Sequence, residues 1–393
     1  MRAIGRLLRG ALCLAAAAGL YLPCVHWLFR PAEADVAGPS GTPRLARKLA
    51  ARHVDVWTQP GLLRAELAKM RSANAEWDFM GRSFLVWSLA NLALRDPGFQ
   101  PTALEVTDRI LDETIRLEAE RGMYVFLMPY ARDRAFVQGP PRSQFLDGEI
   151  ALMLAMRCVV RDRPAWRDEL VRRVGVMTRR MEASPSLSAE SYPDECWTFC
   201  NTVALAAIRL CDHLTGSDHG DLIRRWVALA RTRLTDPGTG LLVSAYRLNG
   251  ETIYGPEGSS IWMACHCLAL VDEPFAREQY ERARRLLGRR MLGFGYAREW
   301  APGAEGRMDI DSGLVVPGLG ASVASTGLAM VAAGTFGDTD FLREIATSLA
   351  FAGFPVERDG RLYHAAGNQV GDAVALYGLV NGPVWAKIGR VQP

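Results

Sequence analysis

The chain of 393 residues lacks several signatures by which large enzyme classes are recognised. It has no Gly-rich phosphate cradle, no Rossmann fingerprint and no nucleophile elbow, so nothing points to nucleotide-dependent or α/β-hydrolase chemistry. Charge of one sign is missing too: 46 Lys and Arg stand against 43 Asp and Glu, for a net +3. The basic residues are not clustered with aromatics as a nucleic-acid groove needs, which excludes nucleic acid as a partner. Metal-ligand spacing is also absent. Cys196, Cys200, Cys265, His266 and Cys267 come nearest to a zinc set. Consecutive helix residues splay outward, however, so Cys265 and His266 do not chelate together, and no metal is expected.

The other cysteines fall in apolar surroundings. Cys13 and Cys24 lie in the N-terminal run, and Cys158, Cys211, Cys265 and Cys267 in apolar helical stretches, where a small buried thiol is the ordinary reading. Cys196 and Cys200 remain. They belong to the stretch Ser191-Tyr192-Pro193-Asp194-Glu195-Cys196-Trp197-Thr198-Phe199-Cys200-Asn201-Thr202, which concentrates acids, thiols and aromatics before an apolar helix. Pro193 stops a preceding helix, Asp194 is an N-cap candidate, and Cys196 and Cys200 are expected one turn apart on one helix face.

The N-terminus reads as a membrane segment. Arg2, Arg6 and Arg9 precede an apolar run from Ala11 to Phe29, about 20 residues, the length that crosses a hydrocarbon core. Basic residues on the short side predict that end inside and the rest of the chain periplasmic or extracellular. Ala32-Glu33-Ala34 offers a late cleavage site, so a signal segment is the alternative to a retained anchor. Residues 31–60 read as a tether followed by a basic helix from Arg44 to about Trp57, and 61–393 as one domain.

In that domain apolar and amphipathic helices alternate. The apolar stretches are 83–94, 145–160, 202–214, 261–271 and 322–335, each followed by a more polar one: 104–119, 166–181, 222–234, 275–291 and 341–351. A sixth apolar helix, 373–379, is expected to take its partner from 62–70. Stacked helical hairpins of this kind form an open solenoid or close into a ring. The apolar members are too uniformly apolar to line a wet concave face, which favours an all-α (α/α)6 barrel with a polar funnel at the N-terminal ends of its inner helices. Asn249-Gly250 between short β-favouring runs predicts a hairpin at the rim carrying Tyr246 and Tyr254.

Polar clusters fall before or within the inner helices. Glu76-Trp77-Asp78 reads as a helix start or as the place of a general acid. Glu149 lies among Ile150, Leu152, Met153 and Leu154, either facing the funnel, where apolar walls raise a carboxyl pKa, or on the polar edge of its helix. Arg298-Glu299-Trp300 through Asp309-Ile310-Asp311 forms a long polar loop of the kind that often carries function.

Pro193-Asp194 to Cys200-Asn201, Asp212-His213-Leu214-Thr215-Gly216-Ser217-Asp218, Asp236-Pro237 with Gly240, and Tyr246 together resemble the linalool dehydratase/isomerase family, over roughly Tyr192 to Gly337. The resemblance implies an (α/α)6 barrel, no cofactor, acid/base chemistry on a terpenoid alcohol, and an oligomer in which a neighbouring subunit completes each pocket. It assigns Cys200 to the second active-site thiol, Tyr246 to a pocket tyrosine and Asp78 to a pocket aspartate. The sequence departs from the family at the first active-site cysteine, where Ser191 stands, and at the pocket histidine, where Glu149 stands. A serine is a poorer acid and nucleophile than a thiol, so a covalent thioether is not carried over, and the substrate need not be a monoterpene.

Four functions compete. In the first, a lyase or isomerase of an apolar alcohol, a carboxylic acid protonates the hydroxyl, Trp197, Phe199 and Trp262 shield the developing cation, and a base removes a proton. The second is a carbohydrate-active barrel enzyme with paired carboxylates, Asp78 with Glu149 or Glu299 with Asp309. A lipid- or glycan-binding module and a scaffold are the third and fourth.

Overall fold

The computed structural model describes residues 2–36, 41–304, 306 and 313–389. Asp309 of the polar loop lies outside the described residues. In chain order, α1 (Arg2–Tyr21), the short α2 (Glu33–Val36), α3 (Arg44–Thr58) and α4 (Pro60–Ala73) come first. Five hairpins follow: α5 (Ala75–Arg95) with α6 (Gln100–Arg121), α7 (Gln144–Val160) with α8 (Pro164–Glu182), α9 (Thr198–Thr215) with α10 (Gly220–Arg233), α11 (Gly258–Val271) with α12 (Glu273–Leu286), and α13 (Val323–Phe336) with α14 (Thr339–Ala352). Then come α15 (Gln369–Val380) and α16 (Pro383–Ile388).

Helices α5, α7, α9, α11, α13 and α15 each pack on the next, and α15 packs back on α5, so the ring is closed. Side-chain composition decides which helix lies inside. Helix α7 is buried at every residue from Gln144 to Val159, whereas α12 buries only the stripe Phe275, Ala276, Gln279, Tyr280 and Ala283. A helix apolar all round needs protein on every side; an amphipathic one needs it on one. Several starts are capped, by Asp272 on the Phe275 amide (2.9 Å), Ser322 on Ser325 (3.1 Å) and Asp338 on Phe341 (3.1 Å).

Three local expectations are corrected. The sixth outer helix is α3, not 62–70: α3 buries Ala46, Leu49, Ala50, Val56 and Trp57 and packs along α15, while α4 buries only Met70. The basic helix assigned to the tether is therefore part of the barrel, its arginines turned away from its apolar stripe. Second, Cys196 and Trp197 form a strand, β1 (Cys196–Trp197), paired with β2 (Ala245–Tyr246), and α9 begins only at Thr198. Cys196 and Cys200 consequently do not share a helix face, and Asp194, in the left-handed region at φ 61°, caps no helix. Third, the helix expected to reach Met291 ends at Leu286, because β4 (Gly288–Met291) turns back into β5 (Phe294–Ala297).

The expected rim hairpin is present: β2 pairs with β3 (Thr252–Tyr254), and Gly250 turns the chain at φ 87°. Two more short ribbons complete the strands, β6 (Val315–Val316) with β7 (Ala321–Ser322), and β8 (Pro355–Arg358) with β9 (Arg361–His364). Because each inner helix is followed by an antiparallel outer one, inner N-termini and outer C-termini share one end, the mouth. Below it the ring is filled. Phe84 and Trp87 pack edge to face at 4.8 Å, Trp87 meets Tyr377 at 5.7 Å, and His266 stacks on Trp385 at 4.8 Å.

Candidate active site

The site is built on helical phase. Residues seven apart on an α-helix share a face, so Glu76 in the first turn of α5 lies above Ser83. Asp78, about 200° further round, points the other way. Its carboxylate accepts from Arg82 Nε at 2.7 Å and Arg71 Nε at 2.5 Å, and Arg82 continues to Glu113 (3.0 Å) and Thr114 (3.3 Å) on α6. Asp78 and Arg82 are both fully buried. This network ties inner helix to outer helix, and both guanidinium groups engage the carboxylate expected as an acid at Asp78.

Glu149, six residues into α7, faces inward. It is fully buried, and neither of its carboxyl oxygens has a hydrogen-bond partner among the described residues. Burial raises its pKa to about 8, opposed by the neighbouring Ser83 hydroxyl, which itself donates to Phe79 O at 3.1 Å. A charged carboxylate would lose hydration that nothing replaces, so the neutral acid is favoured at neutral pH. Next to it, α7 and α9 approach closely: a Cβ at Gly148 would stand 3.4 Å from both Ala204 Cβ and Cys200 O.

Cys200, in the first turn of α9, is buried, and burial holds its thiol well above the ordinary range. The Ser191 hydroxyl pulls it back, while Glu149 and Glu76 both push it further up. Ser191, Cys200, Glu149 and Glu76 are thus brought together. The Ser191 hydroxyl also accepts from Trp197 N at 3.3 Å. With its thiolate disfavoured, Cys200 is suited to hydrogen bonding and proton transfer rather than nucleophilic attack.

Two groups of this chamber were not singled out from sequence. Tyr192 accepts the Met128 amide at 2.9 Å and donates to Glu76 Oε1, its ring stacked on Tyr130 at 4.8 Å. Cys267, read from sequence as a core thiol, is raised by burial and next by Glu149, which places it on the chamber side of α11. The Glu76 to Ser83 spacing was the available signal for the first turn of α5. Nothing in the sequence marked the Tyr192 contact.

Tyr246 borders the cluster: burial raises its phenol, Cys196 and Cys200 push it further up, and its hydroxyl is bonded to Ser188 Oγ at 2.8 Å, which also accepts from Trp226 Nε1 of the outer α10 at 3.0 Å. Trp262 lies apart: its ring contacts Tyr280 of α12 and Phe341 of α14 at 6.0 and 6.2 Å, and its Nε1 donates to Ser325 Oγ at 3.0 Å. Trp197 stands at the rim, tilted on Tyr254 at 5.7 Å and bonded through Nε1 to Glu195 at 3.0 Å. Phe199 is buried in the first turn of α9. Glu299 is buried on the α11–α13 side, where its Oε1 accepts from Ser259 N (3.1 Å) and Oγ (2.5 Å), and burial raises its carboxyl. Among the described residues no three His, Cys, Asp or Glu side chains converge as metal ligands.

The family model for linalool dehydratase/isomerase matches residues 172–370, more than half of the chain, and that span contains Ser191, Tyr192 and Cys200. The chain belongs to this family. No curated protein matches it. Among solved structures, the unsaturated glucuronyl hydrolase of Bacillus sp. GL1 is similar at 12% identity and a TM-score of 0.53, over 85% of this chain and 96% of that one. A GH76 α-mannanase of Bacteroides thetaiotaomicron is 13% identical, with a TM-score of 0.47 over 79% and 86%. At this identity the likeness to the hydrolase establishes the (α/α)6 fold alone. In this linalool dehydratase/isomerase family member Ser191 and Glu149 both lie near Cys200.

Proposed function

We propose that this protein is a lyase or isomerase that works by acid/base chemistry on an apolar alcohol of terpenoid type. The observation that carries the reading is Glu149: a fully buried carboxyl with neither oxygen hydrogen-bonded, inside the ring and beside Cys200. As a neutral acid it protonates the substrate hydroxyl, and the C–O bond breaks to release water and an allylic cation. Glu76, whose Oε1 accepts from Tyr192, removes a proton from the neighbouring carbon to give the alkene. Return of water at the far end of the allylic system gives the isomer instead. Ser191 and Cys200 hold the departing oxygen by hydrogen bonds, and the buried walls keep bulk water from quenching the cation.

Among the described residues one helical segment is long and apolar enough to cross a membrane, Ile4–Leu28. We infer that it is a retained anchor and that the barrel lies on the periplasmic or outer side, as the N-terminal arginines direct. Completion of the pocket by a second copy of the chain belongs to the same reading.

The test is turnover of linalool and related terpenoid alcohols by detergent-extracted protein, with volatile alkenes read by gas chromatography. Glu149→Gln keeps the shape but not the transferable proton, and the expected rate loss is roughly 10²–10⁴-fold. Full activity of that variant would remove Glu149 from the chemistry. Release of sugar from an unsaturated uronide, with no alkene from any alcohol, would transfer the protein to the carbohydrate class.

A further inference from the structure

A group of exposed apolar side chains lies beside the end of the N-terminal apolar segment; Tyr130, Val137, Val171, Leu314 and Val323 are exposed as well. Trp27 and Leu28, where the apolar segment leaves off, are 65% and 83% exposed. Next to them are Met291 and Leu292 at the tip of the β4–β5 hairpin, each 45% exposed, and Phe351 in the last turn of α14 and Phe354 just after it, at 50% and 67%. One aromatic cluster supports all three pieces: Phe29 lies 5.0 Å from Phe351 and 6.4 Å from Phe294, and Phe294 lies 5.1 Å from Phe351. The hairpin tip also seats His26. A Cβ at Gly293 would fall 2.2 Å from that ring, so only glycine fits there.

Backbone conformation gives a second, independent sign. Leu292 and Phe354 have φ of 49° and 50°, a region that bulky residues avoid. The β8–β9 hairpin makes its turn with Asp359-Gly360 at φ 52° and 74°, the residue types such turns favour; the β4–β5 hairpin uses Leu292-Gly293 at 49° and 86°. An exposed leucine held where Asn or Asp is preferred is explained when its side chain has an apolar medium to enter. Basic residues border the patch: Arg30 is exposed, and the Arg290 and Arg358 side chains are 58% and 89% exposed, with Glu344 and Asp359 as their acidic neighbours.

We propose that this face docks on the lipid interface, with Met291, Leu292, Phe351 and Phe354 among the headgroups and upper acyl chains and the arginines at lipid phosphates. It rests on the reading of Ile4–Leu28 as a membrane segment. The patch follows the C-terminal ends of α12 and α14, which is the mouth end of the ring. Docking there puts the mouth of the ring beside the bilayer, so the substrate class is an alcohol dissolved in lipid rather than in water.

The test uses the full chain, with Cys13→Ser and Cys24→Ser, in vesicles of phosphatidylcholine and phosphatidylglycerol. A spin label is attached at Leu292→Cys, at Phe354→Cys or, as a control at the opposite end of the ring, at Ser217→Cys. Labels at 292 and 354 should show high collision with oxygen and a several-fold lower collision with a nickel chelate than the label at 217. Equal nickel accessibility at the three positions would overturn the docking. The intact mass of the vesicle-bound chain separates this from the anchor itself: a retained segment with positions 292 and 354 in water rejects docking alone, and a lost segment with lipid contact preserved rejects the anchor alone. Circular dichroism of each variant confirms that it is folded, and either labelled position suffices.

Discussion

Tyr192 stands between a backbone and an acid: its hydroxyl accepts the Met128 amide at 2.9 Å and donates to Glu76 Oε1. The loop of the family stretch is thereby tied to the first turn of α5, and one lone pair of Glu76 is fixed in place. A carboxylate oriented by such a donor loses little motion on taking a proton from substrate. Tyr192→Phe should lower kcat while costing about 1–3 kcal/mol of stability, since the Met128 amide and Glu76 Oε1 both lose a buried partner. Steady-state kinetics and a melting curve check both. Unchanged kcat would mean that Glu76 needs no positioning.

Glu76 and Asp78, two residues apart, should respond oppositely to mutation. Asp78→Ala leaves the fully buried Arg82 without its closest partner, and breaking such a pair costs roughly 3–5 kcal/mol. Activity per folded molecule should persist. Glu76→Gln should instead keep the melting temperature within a few degrees and depress turnover. Denaturant unfolding beside kinetics on the soluble fraction distinguishes the two patterns.

Cys200→Ala should reduce turnover with little loss of stability, because a small buried thiol is removed without opening a large cavity. Cys200→Ser should retain more activity than Cys200→Ala if the thiol acts through hydrogen bonds, and no more if its polarizability matters. Tight coupling of fold and activity losses would return Cys200 to the core.

The ring was legible because burial is written in periodicity: α7 and α11 are predominantly apolar and buried on nearly every face, and α12 carries a single stripe. The sixth outer helix was missed because the arginines of α3 resemble a tether and mask a stripe of Ala and Leu. At the site, residue type identified Cys200, Ser191 and Glu149, but side-chain direction had to come from structure. Trp262 sits on a wholly buried helix where no polar face reveals its phase, and it turned outward. The ion pairs of Asp78 were not legible because its partners, Arg71 on α4 and Glu113 beyond Arg82 on α6, come from neighbouring helices whose packing the spacing could not give.

The pH dependence of Glu149 is the most demanding test, since it links fold and chemistry through one proton. Burial raises its pKa from 4.5 to about 8, so between these values the folded protein keeps a proton that the unfolded chain releases. Stability from this group is therefore complete below about pH 4.5 and declines as pH rises through about 8, by roughly 1.4 kcal/mol per unit at most. Glutamine carries no such proton. Relative to the wild type, Glu149→Gln should gain melting temperature from pH 5 to about pH 8 and level off above it, although it is the less active protein throughout. The wild-type rate should fall on the alkaline side near pH 8, where the acid ionises. Parallel melting curves of the two proteins across this range, or a rate that rises through pH 8, would show that Glu149 is charged in the folded state and that the proton comes from another group.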